Sequence, residues 1–246
     1  MVAHAAEAHG DLNDVSREAI LQRIRSALGR TAETPAPPIP ETLLAFAPME
    51  MEQRIARFTA ALEALGGRVL RAASPPEAGA MIAAITGGAD VVASEASYLR
   101  ACGVASLPGV RSDFSSAEDY RASRAEAAFG ITSADYALAE TGSLVLFSGH
   151  EESRLVSLLP PAHIAVLPLN RLLTNLNELL TLVPHPADLT SAMVIVTGPS
   201  RTADIEQILV RGVHGPGEIT VILVDAPHVS PPFAADSGNG NSPRGI

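Results

Sequence analysis

Three polar segments interrupt apolar runs in the second half of the chain, and they contain the residue types that could do chemistry. The segments are SADYALAETGS at 133–143, TGPSRTADIE at 197–206 and GVHGPG at 212–217. Carboxylates within apolar runs cost desolvation free energy unless they have a partner or lie at an edge. Each segment therefore predicts either a structured turn or a site at the end of a strand.

Glu140 lies where the first segment breaks its apolar run, directly before Thr141 and Gly142. A carboxylate there can act as a nucleophile or a base, or it can accept backbone N–H groups within its own turn; both interpretations stay open. Thr141 and Ser143 could donate to a ligand carboxylate or phosphate, although hydroxyls in turns usually bond to their own backbone. Gly142 predicts a tight turn between two strands. Asp135 could be a general base, but an Asp at that position more often caps a turn.

The second segment has the composition of a turn that holds an anion. Gly198 would let a ligand approach the backbone, and Ser200 and Thr202 would supply hydroxyl groups. Arg201 would supply a fixed positive charge, with a surface salt bridge as the alternative. A helix predicted to open around Ser200 would add its N-terminal dipole to the site.

The sequence around three of the histidines indicates a different role for each. His214 is flanked by glycines and titrates near neutral pH, so it could act as an acid or base, with a solvated loop as the alternative. His163 begins a predicted strand, where a core or rim histidine is more common than a catalytic one. His150 precedes two glutamates without the spacing of metal ligands, so no metal site is predicted.

Composition excludes several classes of function. A net charge of −10 and an aromatic content of 4% without Trp argue against a nucleic-acid partner. The chain has no lysine, which rules out a Walker A lysine, a Schiff base and a pyridoxal-phosphate anchor. Cys102 is the single cysteine, so the chain cannot supply the four thiolates of a usual iron–sulfur cluster. No secretory signal or membrane span is expected, and the chain is predicted to be cytoplasmic.

The first half of the chain predicts alternating helices and strands. A helix is predicted from Asp14 to Gly29 with Ile20, Ile24 and Leu28 on one face, followed by a Pro-rich linker at 31–40. An amphipathic helix over 49–67, a strand at 68–73, a helix over 74–88 and a strand at 89–94 follow. This β–α–β order favours a parallel sheet with crossover helices.

The second half predicts the elements that must position the polar segments. A helix is predicted over 116–130 with Gly130 at its end, then a hairpin around Gly142, a strand at 163–169 and a helix capped by Asn170. A buried strand at 193–198, a helix from about Ser200 and a last strand at 218–225 complete the pattern. The strands are almost continuously apolar, which predicts a sheet covered on both faces, with ligands at strand ends.

Together with IRSAL at 24–28 and PPAHIAVL at 160–167, the three polar segments resemble the lactate-utilisation (LUD) domain family, and within it the C-type branch. The resemblance spans roughly residues 14–225. It implies a three-layer Rossmann-like α/β sandwich similar to the NagB/RpiA/CoA-transferase fold. It also implies oxidation of L-lactate to pyruvate beside partner subunits that carry iron–sulfur clusters. A Glu is the nucleophile in the CoA-transferase branch, and whether Glu140 matches it stays open.

The sequence thus predicts an N-terminal helix and linker at 1–48, a LUD-type α/β domain at 49–226 and a disordered tail at 227–246. The leading hypothesis is a non-cluster subunit of a lactate-oxidising complex that holds no cofactor or metal itself and contacts a small carboxylate. The alternatives are a free-standing CoA-transferase or sugar-phosphate enzyme that uses Glu140, and a purely structural subunit. The predicted site consists of catalytic Glu140 and His214, with substrate held by Thr141, Gly142, Gly198, Ser200, Arg201 and Thr202.

Overall fold

The computed structural model of the chain describes residues 8–31, 33–35, 38, 49–112, 126–149, 153–204 and 208–225. Contacts within the chain divide it into two units, Met1–Ala45 and Phe46–Ile246. The predicted tail at 227–246 and most of the helix predicted over 116–130 lie outside the described residues.

The first unit contains one helix, α1 (Ala8–Ala27), among its described residues. The helix begins ahead of the predicted Asp14, and Gly29 follows it with a φ of 62°, as expected for a glycine that ends a helix. The predicted apolar stripe of Ile20, Ile24 and Leu28 is on this segment, and all three side chains are about half exposed or more. The stripe is therefore an apolar face open to solvent.

The second unit is built on a parallel sheet of six strands, in the order β1-β12-β7-β4-β2-β3. All five neighbouring pairs in it are parallel. The strands are β1 (Arg68–Ala72), β2 (Val91–Ala93), β3 (Val110–Arg111), β4 (Phe129–Ser133), β7 (Ala162–Pro168) and β12 (Glu218–Val224).

Both faces of this central sheet are covered, which explains its almost continuously apolar strands. On one face, α3 (Pro75–Thr86) and α4 (Ser97–Ala101) form a core that includes Ile82, Leu99 and Ile164. On the other face, α2 (Met51–Ala64) forms a second core through Phe58 and Leu62. The fold is a Rossmann-like α/β sandwich, as predicted.

A second sheet of four strands completes the layer beside α2, in the order β8-β5-β6-β9. Its strands are β5 (Tyr136–Leu138), β6 (Ser143–Phe147), β8 (Leu172–Leu173) and β9 (Met193–Val196). The hairpin β5–β6 is antiparallel, as predicted, with Tyr136 opposite Val145. The outer face of this sheet packs against α6 (Leu176–Leu182) through Leu179.

The helix predicted from Asn170 is wrong at its start. Residues Leu169–Arg171 form a short 3-10 turn and β8 follows, so α6 begins only after Asn175. The Asn175 side chain accepts the N–H of Glu178 at 3.1 Å, and that Glu in turn accepts the N–H of Thr174 at 2.7 Å. Pairing of β8 with the distant β5 overrides the local helical pattern, and the helix begins where the Asn175 side chain caps it.

Gly130 does not end a helix, because it lies inside β4. A Cβ atom at this position would overlap the carbonyl oxygen of Val156 in the short helix α5 (Arg154–Leu158). Glycine is therefore required here by the close packing of a helix backbone on a strand.

Two predictions near the C-terminal strands are also corrected. The strand β9 is at the edge of the smaller sheet and is not buried, with Ile195 40% exposed. The helix predicted from Ser200 is instead a hairpin, in which β10 (Arg201–Asp204) pairs antiparallel with β11 (Ile208–Arg211). The backbone forms pairs across the hairpin, so no helix N-terminus is available at Arg201 to hold an anion.

Candidate functional site

The turn between β5 and β6 places Glu140 beside α2. Gly142 closes the turn with a φ of 66°, and its N–H donates to the carbonyl of Leu138 at 3.0 Å. The Glu140 carboxylate lies 3.9 Å from the Arg57 guanidinium, and the two side chains are 35% and 52% exposed. At that exposure the ion pair is weakly held, so Glu140 remains accessible.

Three hydroxyl groups join the first polar segment to the second. The Thr141 and Ser143 hydroxyls are 2.6 Å apart, and the Ser143 hydroxyl is 2.8 Å from that of Thr197. Ser143 is buried, whereas the other two residues are exposed. The bonds shown for these hydroxyls are to other hydroxyl groups, and not to the backbone of their own turn as expected.

The C-terminal half of α2 is the surface on which both segments pack. A Cβ atom on Gly142 would lie 2.5 Å from the Leu62 nitrogen, and one on Gly198 would lie 2.9 Å from the Leu65 Cβ. The exposed Arg201 side chain donates to the carbonyl of Leu65, just beyond the end of α2. These glycines are needed for close backbone packing, and Arg201 caps a helix carbonyl.

The third segment packs against the second through backbone bonds. The Ser200 N–H donates to Pro216 at 2.8 Å, and the Gly212 N–H donates to Ser200 at 3.1 Å. His214 is exposed at the tip of this loop. Among the described residues, no hydrogen bond or ion pair joins His214 to Glu140 or Arg201. Thr202 lies in β10, opposite Val210.

The second and third segments lie at the amino-terminal ends of the central strands. The loop at 212–217 leads into β12, and its Gly217 N–H donates to Pro161, which directly precedes β7, at 2.9 Å. Gly198 and Arg201 contact Leu65, close to the start of β1. Ligands of open parallel sheets bind instead beyond the carboxyl ends, so the predicted residues of these two segments occupy the edge less suited to a small-molecule pocket.

A cluster at the carboxyl ends contains Asp135, which the sequence indicated as a possible general base, with Tyr98 and Arg171, which the sequence did not single out. The strands β2 and β4 are neighbours in the sheet. From β2 the chain continues to β3, at the edge of the sheet, whereas from β4 it continues to β7, on the side away from that edge. This reversal is the topological switch point at which such sheets bind ligands. Tyr98 follows β2, Asp135 follows β4 and Arg171 follows β7.

Asp135 is the carboxylate of this cluster. It accepts the N–H of Phe147, at the end of β6, at 2.7 Å, so its backbone partner lies on another strand and not in its own turn. Burial raises the pKa of Asp135 to about 6, against the hydrogen bond from Phe147 and the positive charge of Arg171. The carboxyl group therefore titrates within the range useful for proton transfer.

Arg171 and Tyr98 are the buried donors of the cluster, at 8% and 6% exposure. Burial lowers the pKa of Arg171, while the neighbouring carboxylate of Asp135 raises it. Burial also raises the pKa of Tyr98, so its hydroxyl remains a donor. Among the described residues, no group forms a hydrogen bond with the Tyr98 hydroxyl. The sequence signal for this cluster was a polar or aromatic residue close after each apolar strand. That signal can be interpreted only when the order of the strands in the sheet is known.

His163 is a buried core residue, as predicted. Its Nε2 atom is 2.8 Å from the Thr132 hydroxyl, and burial lowers its pKa to about 4. The ring is therefore neutral near pH 7 and does not contribute charge to either edge of the sheet.

The described residues contain neither a metal-binding cluster nor a membrane-spanning helix. No group of three or more His, Cys, Asp or Glu residues there is placed to hold a metal ion. No helix in that part of the chain is long and apolar enough to cross a membrane.

The sequence profile of the LUD domain matches residues 55–224. The chain is 43% identical over 104 residues to lactate utilization protein C of Halalkalibacterium halodurans, which covers 41% of this chain and 45% of that protein. It is 39% identical over 103 residues to lactate utilization protein C of Bacillus subtilis, covering 40% and 43%. The similarity thus spans less than half the length of these relatives.

A solved structure shows the same fold. A DUF162 family protein from Deinococcus radiodurans superposes with a TM-score of 0.57 at 22% identity. The match covers 72% of this chain and 99% of that protein. The arrangement of the α/β sandwich is therefore shared by a protein of low sequence identity.

Proposed function

Because the chain belongs to the LUD domain family, we propose that it takes part in lactate utilisation, as a subunit of an assembly that oxidises L-lactate to pyruvate. The observation that carries the proposal is the identity of 43% and 39% to two proteins named lactate utilization protein C. The part of the chain matched by the family profile includes the central sheet from β1 to β12.

Oxidation of lactate to pyruvate removes two electrons and two protons, so the assembly needs an electron carrier. Cys102 is the only cysteine of the chain, it is buried, and burial raises the pKa of its thiol to about 11. A buried thiol with a raised pKa is a poor metal ligand, and one thiol cannot hold a usual cluster. We therefore assign the iron–sulfur clusters to partner subunits.

The predicted site residues then have a surface role. Glu140, Arg201 and His214 are accessible, and the packing of α2 and the 212–217 loop holds their segments in place. The proposal assigns to this surface the contact with the cluster-bearing subunit and the completion of the electron-transfer site. Accessible charges set the orientation and rate of association more than its affinity. The predicted set comprises Glu140, Thr141, Gly142, Gly198, Ser200, Arg201, Thr202 and His214, of which Gly142 is buried in the turn after Glu140.

Reconstitution tests this proposal. The full chain is purified and mixed with the cluster-bearing subunits, and lactate-dependent dye reduction is measured. We expect the chain alone to be inactive and the mixture to be active. Glu140→Gln should lower the rate of the mixture severalfold, because it removes the accessible charge, whereas Glu63→Gln on exposed α2 should leave the rate unchanged.

Two results would contradict the proposal. Full lactate oxidation by the partner subunits without this chain would remove its role in the reaction. Turnover of a CoA thioester or sugar phosphate by the chain alone would instead support the free-standing enzyme that uses Glu140. Unchanged dye reduction with Glu140→Gln would leave this residue a structural role.

A further inference from the structure

We propose that Tyr98, Asp135 and Arg171 form a binding site for a small 2-hydroxy carboxylate at the carboxyl ends of β2, β4 and β7. The identity of the ligand rests on the proposed function. The site is at the opposite edge of the central sheet from the 212–217 loop and Arg201.

Topology brings the three residues together. They follow three strands that are adjacent in the sheet, since β4 pairs with β2 on one side and with β7 on the other. The positive charge of Arg171 lowers the pKa of Asp135 and the pKa of Tyr98, against the larger effect of burial on each group. Their position at the switch point is the one at which an open α/β sheet has a crevice.

The Tyr98 hydroxyl is the observation that points to a ligand. It is buried and has no hydrogen-bond partner among the described residues. A buried hydroxyl without a partner costs folding free energy, and a phenylalanine would avoid that cost. A donor left unsatisfied beside a buried cation is expected where a bound molecule supplies the acceptor.

The three groups match the polar atoms of a 2-hydroxy acid. The Arg171 guanidinium suits a carboxylate, with which it forms charge-assisted hydrogen bonds. The Asp135 carboxylate accepts one backbone N–H and retains capacity to accept the substrate hydroxyl. Tyr98 donates to a ligand oxygen. A small number of polar groups that converge within apolar surroundings is typical of small-molecule sites. The exposed residues at the amino-terminal ends of the strands lack such surroundings.

Binding to the full-length chain tests the inference. Saturation-transfer NMR and thermal shift are measured with L-lactate at millimolar concentration. We expect Tyr98→Phe to fold with an unfolding midpoint at least as high as the wild type, because it removes an atom without a partner. Its affinity for lactate should fall about tenfold through loss of one hydrogen bond. Arg68→Gln, an exposed arginine at the start of β1, should bind lactate like the wild type.

A second ligand tests the role of Asp135 separately from the role of Arg171. Propionate keeps the carboxylate but lacks the hydroxyl, so it should bind about tenfold more weakly than lactate. Asp135→Asn, which keeps an oxygen for the Phe147 N–H, should reduce that difference.

The outcomes distinguish this inference from the proposed function. Wild-type affinity in Tyr98→Phe, or no binding of lactate by the wild type in either measurement, would overturn the site. An active mixture whose rate at low lactate is the same with wild type and Tyr98→Phe would overturn the site while the proposed function stands. Two results together would support the site and contradict the proposed function: lactate binding that depends on Tyr98, and full lactate oxidation by a mixture that lacks this chain.

Discussion

At the scale of single residues, buried ionisable groups distinguish the two edges of the central sheet. Asp135 and Arg171 are desolvated at the carboxyl edge, whereas Glu140, Arg201 and His214 are accessible. Buried charges contribute little net stability even when they are paired, so their retention favours a functional role. This contrast is the physical basis for placing a small ligand at one edge and a partner surface at the other.

The pH dependence of stability tests the burial of Asp135. Its pKa rises from 3.8 to about 6 on folding, so its contribution is fully present below pH 3.8 and is lost as pH rises through 6. Asp135→Asn cannot ionise, so it does not lose this stability. The free energy of unfolding of the variant minus that of the wild type should therefore be about 1–3 kcal/mol higher at pH 7 than at pH 4.

The pKa shift of His163 has the opposite sign to that of Asp135, so stability should depend on pH in the opposite direction at this residue. Its pKa falls from 6.5 to about 4, so its contribution is present above pH 6.5 and is lost as pH falls toward 4. Asp135→Asn should therefore show a steeper loss of stability on acidification than the wild type. Urea unfolding at several pH values measures both effects, and parallel profiles for the two proteins would contradict the burial of Asp135.

At the scale of elements, α2 organises the second unit. Its Arg54 side chain donates to the carbonyl of Leu172 at 3.0 Å and pairs with Glu178 at 3.1 Å, which ties the helix to β8 and α6. Near its N-terminus, Glu52 binds Arg71, which also binds Asp225 at 2.8 Å. The helix therefore contacts the central sheet and the second sheet along its length.

Gly142→Ala tests the close packing of the turn on α2. The added Cβ would meet the Leu62 nitrogen at 2.5 Å, in a residue with a φ of +66°. Backbone strain and overlap together should cost roughly 3 kcal/mol of stability.

Gly87→Ala is the matched control for that substitution. Gly87 has a φ of +58° but nothing within 4 Å of an added Cβ. Only the left-handed strain remains, so the loss should be about 1 kcal/mol. Equal losses in chemical denaturation would show that the turn does not pack on α2 as described.

At the scale of the whole molecule, the central sheet separates two cores that share its strands. Leu62 fills the core beside the second sheet, and Ile82 fills the core beneath α3. A truncation on either face weakens the same strands, which predicts one cooperative transition for the second unit.

Leu62→Ala should lower the free energy of unfolding by about 2–5 kcal/mol, because it leaves a cavity in a fully buried position. Ile82→Ala should shift the same transition by a similar amount. Leu182→Ala, at a position 57% exposed, should change stability by less than about 1 kcal/mol. Circular dichroism and tyrosine fluorescence should give coincident midpoints, and separate midpoints would contradict shared cooperativity.

Local patterns predicted most elements correctly, and the errors occur where distant segments pair. The helices α2 and α3 follow from apolar spacing and from the glycines that end them. The start of α6 and the strand position of Gly130 did not follow, because each depends on a partner far along the chain. The hairpin at Arg201 is a local pairing with the segment at 208–211, and there a helix was predicted in its place. The role of Glu140 and the other candidate residues stays a prediction.

The amino-acid sequence by itself determined what this chain cannot do and where most of its regular elements lie. The absence of lysine and the single cysteine exclude lysine-dependent chemistry and a cluster of four thiolates, whatever the fold. Only the tertiary structure decided which polar residues meet. Strand order placed Tyr98, Asp135 and Arg171 after neighbouring strands and moved the 212–217 loop to the opposite edge. Strand order depends on contacts between residues far apart in the chain, and no local pattern of residue types encodes those contacts.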